Sequence, residues 1–283
     1  MVSPARRRDA VSYLCRRHPV SELRACRLVG QHRSTNRYRA TQPDYELRLL
    51  ERMNELAARH PRYGSRRIWA LLRGEGWEVN RKRIERLWRL EGHRVPPPRR
   101  SRQKKNLGSS RNSSWNLAAS RRDQIWSYDF VSSRTSDGRP LRILNTVDEH
   151  TRLCLGSLVA RSIGAFDVGA QLERLFARHG RPELLRSDNG REFTSDSLAE
   201  WLAGEGVGQA FIDPGSPQQN PFVERFNGTM RDEVLNGESF HSVLEAQVVI
   251  DAFVVEYNEI RPHRGLGMKT PLAFAEAARV GSE

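Results

Sequence analysis

At 283 residues the chain is long enough for two or three modules and at least one sizeable core. It carries 47 Lys and Arg against 34 Asp and Glu, a net charge of +13, which favours an acidic partner. No apolar run approaches the roughly 18 residues of a membrane span, and no apolar leader opens the chain, so a membrane or secreted role is not expected.

Residues 1–58 read as a helical region. Within 4–40, three short helices are expected. Ser21 caps the segment ELRACRLV and Gly30 stops it, and Ser34 or Thr35 starts the next. Helix, tight turn and helix with exposed Arg is the pattern of a helix-turn-helix; a plain helical bundle is the alternative. Cys15, Cys26 and Cys154 show no CxxC spacing and read as small buried or half-buried residues.

A further helix is expected over roughly 44–59, and a clearer helix-turn-helix unit over 59–95. Ser65 is placed as N-cap of RRIWALLR, with Ile68, Leu71 and Leu72 on one apolar face. Gly74 and Gly76 form the turn. Asn80 then caps RKRIERLWRL, with Ile84, Leu87 and Trp88 inward and Gly92 at its end. Arg81, Lys82 and Arg83 fall in the first turn, followed by Arg86. Cations there oppose the helix dipole, and their cluster is understandable if a nucleic-acid phosphate supplies the opposite charge. Together with Arg66 and Arg67 on the preceding helix, they are the candidate DNA contacts; a solvated basic face is the rival.

Residues 96–120 are rich in Pro, Ser and basic side chains and read as a linker. The character then changes. Residues 1–122 hold 31 Lys and Arg against 10 Asp and Glu, and the remainder holds 16 against 24. A basic front and an acidic rear suit a DNA-gripping region joined to a metal-binding core, which places the protein in the cytoplasm at the DNA. Only 4 of the basic residues are Lys. Arg suits phosphate through its planar fork, although a GC-rich genome gives the same bias.

From 121 to 283, QIWSYDFV, LRILNTVDEHT and RLCLGSLVAR read as a three-stranded antiparallel meander with a turn at Asp137-Gly138. A helix ending at Gly180, a short strand into RSDN, a second helix and the strand GQAFI follow. The loop DPGSPQQN leads to two helices, roughly 221–235 and 242–258, and then a tail. This is a mixed α/β order.

Three acidic residues stand out. Asp129 interrupts a strand-like run, where a charge is disfavoured unless paired. Asp188 precedes Asn189-Gly190, so its carboxylate projects at a strand's C-terminal end, although an Asx turn explains it equally well. Glu224 lies in the first turn of a helix that Asn220 caps and Pro221 opens, with Asn227 at i+3 and Arg231 at i+7 on the same face, and Asn220, Asn227 and Arg231 are further candidate DNA contacts. Carboxylates without a nearby nucleophile–base pair suit divalent cations held against phosphodiester oxygens. Asp148, Glu149 and Asp213 read as structural or surface groups, and His263 as a packing or DNA-backbone residue.

The spacing of Asp129, Asp188 and Glu224, the last pair separated by 35 residues, resembles the DDE transposases and retroviral integrases. The stretches HPRYGSRRIW, IWSYDFVSSRTSDGRPLRILNTVDEHTR, RSDNGREF, PGSPQQNPFVERFNGTMRDEVLN and YNEIRPHRGLGMKTP resemble the catalytic subunit encoded by the second reading frame of a large bacterial insertion-sequence family. The resemblance runs from about residue 10 to 276. It implies an α/β RNase H-like core preceded by small all-helical helix-turn-helix modules. It also implies two Mg²⁺ ions, with Mn²⁺ as a substitute, on Asp129, Asp188 and Glu224. A 3′-hydroxyl would attack a phosphodiester of element ends and target DNA without a covalent enzyme intermediate. The enzyme would be a homo-oligomer on DNA, with an upstream-frame product as fusion or partner. Two positions depart from the family pattern: Pro221 stands where Gly commonly does, and Arg225 replaces a common Ser and is a candidate DNA contact. A non-catalytic transposase-derived DNA-binding protein and an RNase H-fold nuclease are the alternative functions.

Overall fold

The computed structural model describes residues 3–38, 44–96, 118–213 and 219–280. The chain divides into two compact units, Met1–Glu55 and Leu56–Glu283. Most of the expected linker (97–117) and of the loop before Asn220 (214–218) lie outside the described residues.

The first unit holds α1 (Pro4–Arg17), α2 (Glu22–Val29) and α3 (Arg33–Arg37). Ser21 caps α2 by accepting from the Arg24 N–H, and Gly30, at φ 67°, ends it in the left-handed region that glycine tolerates. The next helix starts earlier than Ser34 or Thr35: His32 is the cap, because its Nδ1 accepts from the Ser34 N–H. Val11, Ala25 and Cys26 form the small core, packed by Leu14, Val20 and Val29. Glu22 binds α3 to α2 through Arg37, Asn36 and Arg33, and these donors, Arg37 foremost, lower its pKa to about 2. Cys15 is exposed, contrary to the expectation of a half-buried residue, and all three cysteines are free.

Helix α4 (Asp44–Arg59) is followed by the hairpin of α5 (Ser65–Gly74) and α6 (Arg81–Leu90). Ile68, Leu72, Ile84, Leu87 and Trp88 are buried, as the helical spacing requires. Leu71 is only half-buried. Asn80 caps α6 by accepting from Lys82 N–H at 2.9 Å. The cap of α5 is Gly64 rather than Ser65; Gly64 takes the extended cap conformation and Ser65 is already helical.

The sheet contains β1 (Ile125–Arg134), β2 (Pro140–Asp148), β3 (Cys154–Ala160), β4 (Leu184–Ser187) and β5 (Gly208–Phe211), in the order β3-β2-β1-β4-β5. The first three are antiparallel, as the meander predicts; β4 and β5 join in parallel. Side chains alternate across the strands. Trp126, Tyr128 and Leu144 face one core with α7 (Ala165–His179) and α8 (Asp196–Gly204). Val131, Ile143 and Val159 face the other, with α9 (Pro221–Met230) and α10 (Val243–Val255). Both α9 and α10 continue as π turns, over Arg231–Leu235 and Glu256–Ile260. The tail is not irregular: it forms α11 (Pro271–Val280), whose start Thr270 caps through the Ala273 N–H and Pro271 occupies. Among the described residues no helix is long and apolar enough to cross a membrane.

Candidate active site

Alternation along β1 places Asp129 on the same face as Val131, the face that α9 covers. Its direct partner across the ladder is Asn145 on β2, and the partner of Asn145 on β3 is Ser157. Three polar residues therefore form one row across this face of the sheet. Helix α9 supplies Asn227 above that row.

A chain of hydrogen bonds runs along it. Ser157 Oγ donates to Asn145 Oδ1 at 2.6 Å, and Asn145 Nδ2 donates to Asn227 Oδ1 at 2.8 Å. Asn227 Nδ2 in turn donates to Asp129 Oδ2 at 2.9 Å. Asn145 is fully buried and Asn227 nearly so, so each amide is worth more satisfied than not. The chain fixes the rotamer of Asp129. Asn145 and Ser157 were not singled out from sequence; the signal was a polar side chain at alternate positions within apolar strands.

The parallel pair of β1 and β4 ends at Ser127 and Arg186; Asp129 follows two residues later on β1 and Asp188 just past the end of β4, near enough for its charge to act on Asp129. Asp188 is exposed just beyond β4, and its Oδ1 accepts from Gly190 N–H at 3.0 Å. It thus makes the Asx turn and still sits at the strand's C-terminal end. A Cβ at Gly190 would stand 3.1 Å from that oxygen, a tight contact that the Asp188 side chain would have to ease.

Glu224 lies in the first turn of α9, exposed, after Pro221 at N1. Asn220 makes no side-chain cap bond to that helix, contrary to expectation. It is buried, and its Oδ1 has no partner.

The electrostatics tie the acids together. Burial pushes the Asp129 carboxyl up to about 6, with the charge of Asp188 adding to it and the Phe130 and Asn227 N–H donors opposing. Desolvation and the charge of Asp129 push Glu224 up to about 7. Asp129 is the middle member, sensed by Glu224 and sensing Asp188. Among the described residues no three His, Cys, Asp or Glu side chains form a closed ligand cluster. The acids are close enough to repel and remain apart.

This donor set fits a hard divalent cation. It is all oxygen, and its negative charge is uncompensated, so a cation would relieve both the repulsion and the desolvation. The neighbouring acids behave differently. Asp148 accepts from Thr151 N–H and Oγ1 and from Asp123 N–H, and Glu149 pairs with Arg186 at 3.0 Å and accepts from Ser127. Both are buried structural groups. Asp213 accepts from the Gln219 amide.

The remaining candidates are spread over α5, α6, α9 and the π turn that follows α9. Arg81 reaches Glu85 at 3.2 Å and Arg66 reaches it at 3.9 Å, so one carboxylate partly compensates the start of α6. Lys82 and Arg86 are exposed and Arg83 half-buried. Arg67 is half-buried over the Tyr63 ring. Arg225 is exposed on α9, and Arg231 is exposed where α9 gives way to the π turn. Asn227 is engaged on both sides, by Asp129 and Asn145.

Known proteins match along nearly the whole chain. The family described as integrase core domain matches residues 119–217 and again 205–271, and an HTH-like domain matches 44–101. A 31.7 kDa protein of insertion element IS407 from Burkholderia multivorans is 39% identical, over 93% of this chain and 94% of its own length. A 39.2 kDa protein of insertion element IS476 from Xanthomonas euvesicatoria is 36% identical, over 97% and 78% respectively. The transposase for IS629 from Shigella sonnei is 26% identical, over 91% and 87%. Among solved structures, the HTLV-2 integrase catalytic core domain in complex with magnesium aligns with 55% of this chain and 97% of its own, at 15% identity and a TM-score of 0.45.

Proposed function

The chain belongs to the insertion-element transposases with an integrase core, and from that premise we propose that it cuts and joins DNA strands at the ends of such an element. The observation that carries the proposal is the position of Asp129, fixed by Asn227 and electrostatically coupled to both Asp188 and Glu224.

Asp129 would hold the shared position in a pair of Mg²⁺ sites, with Asp188 completing one and Glu224 the other. Such ions would supply Lewis-acid stabilisation of the attacking and leaving oxygens of a phosphodiester. The protein's own contribution is placement. The row Ser157–Asn145–Asn227 holds Asp129, the Asx turn aims Asp188, and the first turn of α9 presents Glu224. A strand end lying over these carboxylates brings its phosphodiester in line with water in cleavage, or with a 3′-hydroxyl in joining. The hairpin of α5 and α6, with Arg66, Arg81, Lys82, Arg83 and Arg86, would grip the duplex. Phosphate contacts of that kind make binding steeply salt-dependent.

Labelled element-end duplexes incubated with the protein and Mg²⁺ test this. Joined products are expected. Cleavage without joining would make the protein a nuclease, and binding alone would make it a DNA-binding relic.

A further inference from the structure

Helix α9 carries a second set of residues on a different face. At 100° per residue, Glu224 and Asn227 lie on one side, while Phe222, Arg225 and Thr229 lie on another. That other side opens on a cavity of about 570 Å³, which extends to α5 through Arg67 and to the turn after α10 through Arg261, His263 and Arg264. Arg152, in the turn between β2 and β3, completes the wall.

The cavity is cationic beyond what the fold neutralises. Arg261 pairs with Glu233, and Arg152 donates to the Glu149 carbonyl and stacks 3.6 Å over the Phe222 ring. Among the described residues no carboxylate pairs with Arg67, Arg225 or Arg264. Burial lowers the pKa of Arg67, and the charges of Arg261 and Arg225 add to the effect. Burial and the same kind of neighbours push His263 down to about 3, and its Nε2 is buried without a partner. Like charges gathered in a partly desolvated pocket are costly unless an anion fills it.

We propose that this cavity is a pocket for one DNA backbone phosphate, bound by the guanidinium groups of Arg67, Arg225 and Arg264. Guanidinium forks match the oxygens of a phosphodiester, and three forks on the wall of one cavity suit one group better than a line of separate contacts. The proposal rests on the DNA-joining reading, and it adds a specific consequence. A single phosphate would tie the helical hairpin, through Arg67, to the helix that presents Glu224, through Arg225. Occupation by the right DNA strand would then set the helix that carries one of the acids.

Binding of a short fluorescent duplex as a function of salt tests the pocket. Wild type, each of Arg67→Ala, Arg225→Ala and Arg264→Ala, and the triple variant are compared, with folding checked by thermal melting. Each single change should weaken binding by about 10-fold. The slope of log K against log salt should fall by about 0.9 for loss of one phosphate, and the triple variant should lose no more than that. A triple loss near 2.7 would mean three separate surface contacts, and would overturn the pocket, as would unchanged slopes. In a second arm, inorganic phosphate is compared with chloride at matched ionic strength by thermal melting. Stabilisation that Arg225→Ala abolishes, with duplex binding untouched, would assign the cavity to a free phosphate compound and overturn the proposal too. Strand joining is followed in parallel, because Asp129→Asn should abolish it while keeping the pocket-dependent slope. Failure of joining in wild type would sink the proposed function without touching the binding result.

Discussion

Burial raises the pKa of two pairs of acidic residues in the second unit, Asp148 and Glu149 at the end of β2 and Asp129 and Glu224 on β1 and α9, but the fold gives them different partners. Asp148 and Glu149 are almost fully buried and almost fully satisfied, by Thr151, Asp123, Ser127 and Arg186. Asp129 and Glu224 are less buried, yet their charged neighbours are other carboxylates, and only the Phe130 N–H and the Asn227 amide donate to Asp129. A carboxylate that serves the fold is given its partners by the fold. A carboxylate left with other carboxylates either keeps its proton or takes a cation from outside, and the contrast separates the two roles without reference to any relative.

The contrast can be broken at each end. The largest effect is expected at the unsatisfied acids. Asp129→Asn, Asp188→Asn and Glu224→Gln should each lower strand joining at least about a thousandfold, since each removes several kcal/mol of charge stabilisation from the reacting oxygens. Melting temperature and duplex binding should stay near wild type. Normal joining by any of the three would separate that residue from the site.

At the satisfied end the sign reverses. Glu149→Ala takes the carboxylate from Arg186 inside the sheet and should cost about 3–5 kcal/mol in urea unfolding, as removal of one member of a buried pair does. Activity per folded molecule should be retained. A stability unchanged by this substitution would show that the pair is not holding β1, β4 and the following turn together.

Asn227 stands between the two cases, because it is structural in its contacts and functional in its position. Asn227→Leu cuts Asp129 from Asn145, and joining should fall about 10–100-fold, as for other partners that orient a metal ligand. Recovery of much of that loss at higher Mg²⁺ would mark a positioning role; a loss explained fully by unfolding would not.

The smallest effect is in pH. The folded-state values, about 6 for Asp129 and about 7 for Glu224, lie above those of the unfolded chain, near about 4. The folded state therefore holds these protons more tightly, and their contribution to stability is present at low pH and lost as pH rises through about 6 to 7. Cation-free protein should melt at lower temperature at pH 8 than at pH 5.5, Mg²⁺ should restore most of the difference at pH 8, and the double variant Asp129→Asn, Glu224→Gln should flatten the profile. A melting temperature that instead climbs across this range would show that the acids are neutralised from within the protein.

Much of this architecture is legible in the chain because it is local. Ser21, Gly30 and Asn80 announce helix ends through short-range hydrogen bonds and backbone freedom, and strand alternation gives the meander. Asp129 could be picked out because it violates a local preference, and Asp188 and Glu224 through their turn and helix-start settings. Asn145 and Ser157 could not, since their importance comes from a cross-strand register that brings residues 129, 145 and 157 into one row. The same holds for Arg67, Arg152, Arg225 and Arg264, which only the fold gathers. Where local rules compete, the structure chooses: His32 takes the cap from Ser34, and Asn220 gives up the cap of α9 altogether. The Thr270-Pro271 start of α11 carries a local signal that the reading of a tail passed over.

The most direct measurement is a count of Mn²⁺ ions by electron paramagnetic resonance, at pH 8 with duplex DNA present, on wild type, Asp129→Asn and Glu149→Gln. Wild type and Glu149→Gln should hold about two ions per chain and Asp129→Asn none in that affinity range. Equal occupancy in Asp129→Asn would contradict the claim that the acids left unpaired by the fold are the ones that bind metal.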